Sequence, residues 1–218
     1  MKLKLTKTGP NIWFTSDTHY SHKNICRGVS EWTTNRFTRD YPNLDKMNDV
    51  IVNNINAVVQ PDDILFHLGD WSFGGIENVS KFRERISCQN VHLILGNHDH
   101  HIKKNTNNLQ DLFASVNQML TVQIAVDRSP KLIADSRYEL TLSHFPIASW
   151  ENMNKGAIHL HGHVHLRRNQ RLHDGKSMDV GVDGNDLHPH NLRDILSIME
   201  KQPIAKLTLP KDHHEEEM

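Results

Sequence analysis

Apolar positions fall in short runs separated by longer amphipathic stretches. Ile12-Trp13-Phe14, Ile64 to Leu68, Val91 to Leu95, Leu140 to Leu142 and Ile158 to His161 are too short for helices and read as strands. Met47, Val50, Ile51 and Ile55 recur at helical spacing within Leu44 to Val59, which Pro61 closes. Val79, Phe82 and Ile86 predict a second helix. Leu192, Ile195, Leu196 and Met199 predict a third, entered after Pro189. Leu120 to Val126, Tyr138 to Leu142, Ser177 to Val182 and Ile204 to Leu209 predict further strands, some antiparallel. Strands alternating with helices across the first half predict an α/β sheet. No repeat or linker divides the chain. A single domain over 1–210 is expected, followed by a charged tail, 211–218, that frays.

The residues at the ends of the five runs change the picture. They are Asp17 and His19, then Asp70, then Asn97 and His98, then His144, then His163 and His165. Ligands of open α/β sheets gather outside the carboxyl ends of the strands. Taken singly, each ending is an ordinary cap, turn or surface histidine. Only Gly162-His163-Val164-His165 stands out alone, because a glycine bend lets two imidazoles enter one cleft. Five such endings in order supply carboxylate, amide and imidazole, the donors that hard and borderline cations take. Two adjacent cations need a carboxylate between them, and Asp70 is the natural bridge.

Composition supports this reading. Histidine occurs 17 times in 218 residues, and imidazole is the commonest metal ligand. Cys26 and Cys88 form no CxxC pair, which argues against a structural zinc site and for a reducing compartment. The first ten residues lack the apolar core of a signal peptide, and no run is long enough to span a membrane. A cytoplasmic location is therefore expected. A net charge of -1 gives no bulk attraction to nucleic acid or acidic lipid. The sequence implies no particular oligomeric state.

The series Asp17-x-His19, Gly69-Asp70, Gly96-Asn97-His98-Asp99, His144 and Gly162-His163-Val164-His165 resembles the calcineurin-like metallophosphoesterase superfamily. The run from Trp13 to Ile25 is also similar to small bacterial and phage members. The resemblance implies a four-layer α/β/β/α sandwich. It implies one metal held by Asp17, His19, Asp70 and His165, and a second held by Asp70, Asn97, His144 and His163. It makes His98 the histidine that touches substrate. The cofactor implied is two divalent transition metal ions, manganese first, with iron, zinc, cobalt and nickel fitting the same donors.

One block departs from the pattern. Ser/Thr protein phosphatases read Gly-Asp-x-Val-Asp-Arg-Gly, whereas this chain reads Gly69-Asp70-Trp71-Ser72-Phe73-Gly74-Gly75. The aspartate that orients the acid histidine is lost, with Asp99 a weak substitute, and so is the arginine that grips phosphate. Both losses favour phosphodiesters. The expected activity is a metal-dependent phosphodiesterase on a small anionic ester, a nucleotide or short nucleic acid. The alternatives are a phosphomonoesterase, a nuclease, or an idle interaction module. Cationic loops, with Lys23, Arg27, Arg36 and Arg39 in one and Arg167, Arg168, Arg171 and Lys176 in the other, fit an anion. His22, Asn24 and Arg27 are the candidate substrate contacts, and Tyr20, Trp71 and Phe73 candidate stacking rings.

Overall fold

The computed structural model describes residues 1–6, 8–126, 136–167, 170–172 and 174–205. Its strands, in chain order, are β1 (Lys2–Leu5), β2 (Ile12–Thr15), β3 (Ile64–His67), β4 (Asn90–Ile94) and β5 (Ser115–Asn117). They continue as β6 (Met119–Val126), β7 (Ser136–Ser143), β8 (Ile158–His161), β9 (Ser177–Asp179) and β10 (His190–Asn191). The helices are α1 (Leu44–Val58), α2 (Ile76–Arg85), α3 (His100–Lys103) and α4 (Leu192–Glu200).

Two sheets result. One has the order β10-β2-β3-β4-β5, parallel except for β10. The other has the order β1-β6-β7-β8-β9, parallel except where β6 meets β7. The apolar runs do not alternate because β2, β3 and β4 are covered on both faces. Leu65, Val91 and Leu93 face a core shared with α1 and α2, built on Met47, Ile51, Ile55, Val79 and Phe82. Phe14, Phe66 and Ile94 face the opposite way, against Val122, Leu140, Leu142, Ile158 and Leu160 of the second sheet. That inter-sheet core also takes Leu192, Ile195 and Met199 of α4.

The helices begin where local chemistry allows. The Asn43 side chain accepts the Lys46 N–H at the start of α1, and Asn191 does the same for Arg193 at α4. Helices cover one outer face of the sandwich. On the far face of the second sheet lies a loop with one 3₁₀ turn, Met153–Lys155, whose Trp150 ring rests on His159. None of the described helices is long and apolar enough to cross a membrane.

Several expectations shift. The strand expected over 177–182 stops at Asp179, because Val182 opens a 3₁₀ turn. Ile204 and Ala205 are not strand, while 206–209 and the tail 211–218 lie outside the described residues, as does Arg168. β1 is unforeseen: Lys2–Leu5 pairs with β6, more than a hundred residues away.

Candidate metal centre

The strands end level. Register pairs Thr15 with His67 and His67 with Leu93 in one sheet, and Leu142 with Leu160 in the other. Asp17, Asp70, Asn97, His144 and His163 therefore all leave within a few residues of one common edge. Beyond β2 and β3 the chains still run side by side: Asp17 N–H donates to Gly69 O at 2.9 Å and His19 N–H to Asp70 O at 3.0 Å.

Turning these side chains inward requires sharp bends. Asp17, His19, Asp70, His163 and His165 all hold positive φ, between 47° and 72°. Each such residue costs about 1–2 kcal/mol in the left-handed region and persists only where its surroundings fix it. The glycines of the motifs make room. A Cβ on Gly69 would stand 2.6 Å from His144 Nδ1, and one on Gly162 would collide with Ser16 and Asp17.

Both aspartates divide their oxygens the same way. Asp17 Oδ2 accepts the His163 N–H at 2.9 Å, a bond that crosses between the sheets. Its Oδ1 is buried and has no hydrogen-bond partner among the described residues. Asp70 Oδ1 accepts the His98 N–H at 2.9 Å. Its Oδ2 lies 3.6 Å from His19 Nε2 and 3.5 Å from His144 Nε2.

Around those free oxygens the imidazoles form two groups. On one side His19 Nε2 lies 3.2 Å from His165 Nε2, which is 3.6 Å from Asp17 Oδ1. On the other, Asn97 Oδ1 lies 2.9 Å from His144 Nε2 and 3.0 Å from His163 Nδ1. The ligand atoms of Asp17, His19 and His165 lie within 4.8 Å of one another, as do those of Asp17, Asp70 and His144. All seven sequence-derived residues thus converge.

The donor set fits cations. Burial pushes the Asp17 carboxyl up to about 7, against the opposing effect of His165, so an ionised Asp17 needs positive charge beside it. Burial likewise pushes His144 down to about 4 and His19 well below the usual range, leaving neutral rings with a lone pair to offer. His144 donates Nδ1–H to Leu68 O at 2.8 Å, which turns the bare Nε2 toward the centre.

The other candidates divide. His98 is exposed at the mouth, its Nε2 4.0 Å from Asp70 Oδ2 and its ring 4.6 Å from Phe73. His22 lines the same rim, 3.8 Å from Phe73 ring to ring, but its Nδ1 accepts the Ile25 N–H. Asn24 caps its own loop by accepting the Glu31 N–H, and Arg27 pairs with Asp40 at 2.9 Å. Asp99 does not orient His98: its oxygens accept the N–H groups of Asp70, Trp71 and Gly96, tying two strand ends together. Tyr20 and Trp71 are core residues packed on Phe82, so of the three candidate stacking rings only Phe73 reaches the rim.

The cationic loops also read differently. Lys23 pairs with Glu31, Arg27 with Asp40 and Arg39 with Asp183. Arg171 and Lys176 donate to the carbonyls of Ser177 and Met199. Each of these five cations has a partner within bonding distance, while Arg36 and Arg167 are exposed.

Two residues at the site are absent from the sequence-derived set. Asp183 accepts from His165 Nδ1 at 2.6 Å, and Arg39 bonds Asp183 in turn. The signal was available: β9 is a sixth strand of the same kind, and Asp183 lies just past its end.

Comparison with known proteins gives relatives and a family. An uncharacterised protein of Methanocaldococcus jannaschii is 26% identical over 200 residues, 89% of this chain and 94% of its own. The gene 66 protein of Mycobacterium phage D29 is 28% identical over 198 residues, 82% of this chain and 92% of its own. The crystal structure of a protein of unknown function from Aquifex aeolicus is alike in fold. Its TM-score is 0.59 at 22% identity, covering 87% of this chain and 100% of that one. The family model for calcineurin-like phosphoesterases matches residues 10–167, which hold every strand-end motif from Asp17 to His165. The chain therefore belongs to the calcineurin-like phosphoesterase family, whose members hydrolyse phosphoesters with the help of metal ions.

Proposed function

We propose that this protein is a phosphodiesterase that works with two divalent transition metal ions, manganese first among them. The observation that carries the reading is Asp70 Oδ2, set about midway between His19 Nε2 and His144 Nε2 at 3.6 and 3.5 Å. A carboxylate so placed would be shared by two cations, one that Asp17, His19 and His165 would hold and one that Asn97, His144 and His163 would hold. When bound, such a pair activates water and offsets charge on the phosphoryl oxygens.

The chain's own residues do the rest. Leu68 O and Asp183 hold the His144 and His165 rings with Nε2 inward. His98, exposed beside Asp70, reaches the phosphoryl group or delivers a proton to the leaving oxygen. Phe73 on one flank and the half-exposed Phe145 on the other, 4.7 Å from His163 ring to ring, offer apolar faces to an ester substituent. Arg39 is buried and committed to Asp183 through two bonds, leaving no fork there for the second negative charge of a monoester. A diester carries one charge and a second substituent, which matches this rim. Cyclic nucleotides, dinucleotides and short nucleic acids are diesters with flat rings to place there.

The test is hydrolysis of bis(p-nitrophenyl) phosphate and of p-nitrophenyl phosphate, with manganese and after chelation. Manganese-dependent turnover of the diester well above the monoester is expected. Preference for the monoester would replace the diesterase reading, and metal bound without turnover of either would favour an interaction module.

A further inference from the structure

We propose that Asp183, anchored by Arg39, is a positioning residue that fixes the His165 ring for metal binding. This rests on the reading of the site as a metal centre and adds a residue outside the 10–167 span that the family model matches.

The contacts form a continuous chain. His165 Nδ1 lies 2.6 Å from Asp183 Oδ2. A carboxylate accepts only, so Nδ1 carries the proton of that bond and Nε2 is the atom left to face a cation. That Nε2 lies 3.2 Å from His19 Nε2 and 3.6 Å from Asp17 Oδ1, which aims it into the centre. A carboxylate behind a ligating imidazole fixes its tautomer and raises its basicity.

Arg39 holds the carboxylate from behind. Its Nε donates to Asp183 Oδ1 at 2.8 Å and its Nη2 to Oδ2 at 2.9 Å, a two-pronged grip. The same guanidinium donates to Thr18 O and Asp17 O, each at 2.7 Å. It therefore clamps the backbone between two candidate ligands, Asp17 and His19, to the carboxylate behind a third. Arg39 is buried and stays put, since its own N–H donates to Ile25 O at 2.6 Å. His144, in the other half, has a neutral backbone carbonyl behind its ring.

An ion pair that merely braced the fold would affect both halves of the centre alike or neither. The experiment is calorimetric titration of chelator-stripped full-length protein with manganese, for wild type, Asp183→Asn and Arg39→Lys, alongside thermal melts of the stripped proteins. In Asp183→Asn one of the two binding steps is expected to weaken about 10- to 100-fold, with the other unchanged. Arg39→Lys keeps the charge but loses the fork, and a smaller loss in the same step is expected. Unchanged affinities in both folded variants, or equal loss at both steps, overturn the proposal. Should Asp183→Asn fail to fold, Arg39→Lys decides by the same criterion. A wild type that takes up no manganese overturns the metal-centre reading as well.

Discussion

Asp17 and His19 are almost wholly buried, while Asn97 and His163 stand exposed across Asp70 from them. The first half has a charged brace behind the partly exposed His165, and the second has a peptide carbonyl behind the fully buried His144. One edge of the two sheets is thus held by two means. Burial and a carboxylate brace favour tight retention of a cation, whereas open ligands favour exchange and access for substrate. The water-accessible half is also the one flanked by Phe145, so substrate approach and metal exchange share a side.

Asp70 joins the halves, and its substitution should erase the difference between them. Asp70→Asn is expected to weaken both manganese steps and lower kcat/KM by at least about 1,000-fold, read by calorimetry and diester hydrolysis. His98→Ala should cost about 100- to 10,000-fold in kcat while both cations stay bound; loss of metal there would make His98 a ligand. His163→Ala and His165→Ala should separate the halves, each removing one manganese equivalent by elemental analysis. If either removed both, the halves would be one cooperative unit.

Smaller effects lie in the core. Leu160 is fully buried between the sheets on the strand that leads to His163 and His165. Leu160→Ala should cost about 2–5 kcal/mol in urea unfolding without changing metal stoichiometry. His67 holds the first two strand ends together, its Nε2 2.9 Å from Thr18 Oγ1 and its Nδ1 accepting the Gly69 N–H. Burial, helped by His144, pushes His67 down to about 3. Its unfolded pKa is about 6.5, so the unfolded chain binds the extra proton. Stability of the metal-free protein is then full above about pH 6.5 and falls as pH drops toward 3, by at most about 1.4 kcal/mol per pH unit for this group. His67→Gln should flatten that slope.

The strands that carry the centre were legible because both their faces are buried, which leaves uninterrupted apolar runs in the sequence. The strand ends were legible because left-handed bends and close backbone contacts demand Gly, Asp, Asn and His there. β1 was not, since Lys2-Leu3-Lys4-Leu5 is an edge strand whose partner, β6, is remote in sequence. Asp183 was marked only by its place just past β9 and Arg39 by nothing local, since their pairing spans 144 positions of chain. The basic loops were legible as net charge, but not the pairing of Arg39 with Asp183 or of Arg171 and Lys176 with backbone carbonyls, which depends on the fold.

The most direct test is a crystal of the manganese-loaded protein with anomalous scattering recorded at the metal edge. Two peaks about 3.5–4 Å apart are expected, both bonded to Asp70, one also to Asp17, His19 and His165 and the other to Asn97, His144 and His163. A single peak, or two that do not share Asp70, would contradict the account.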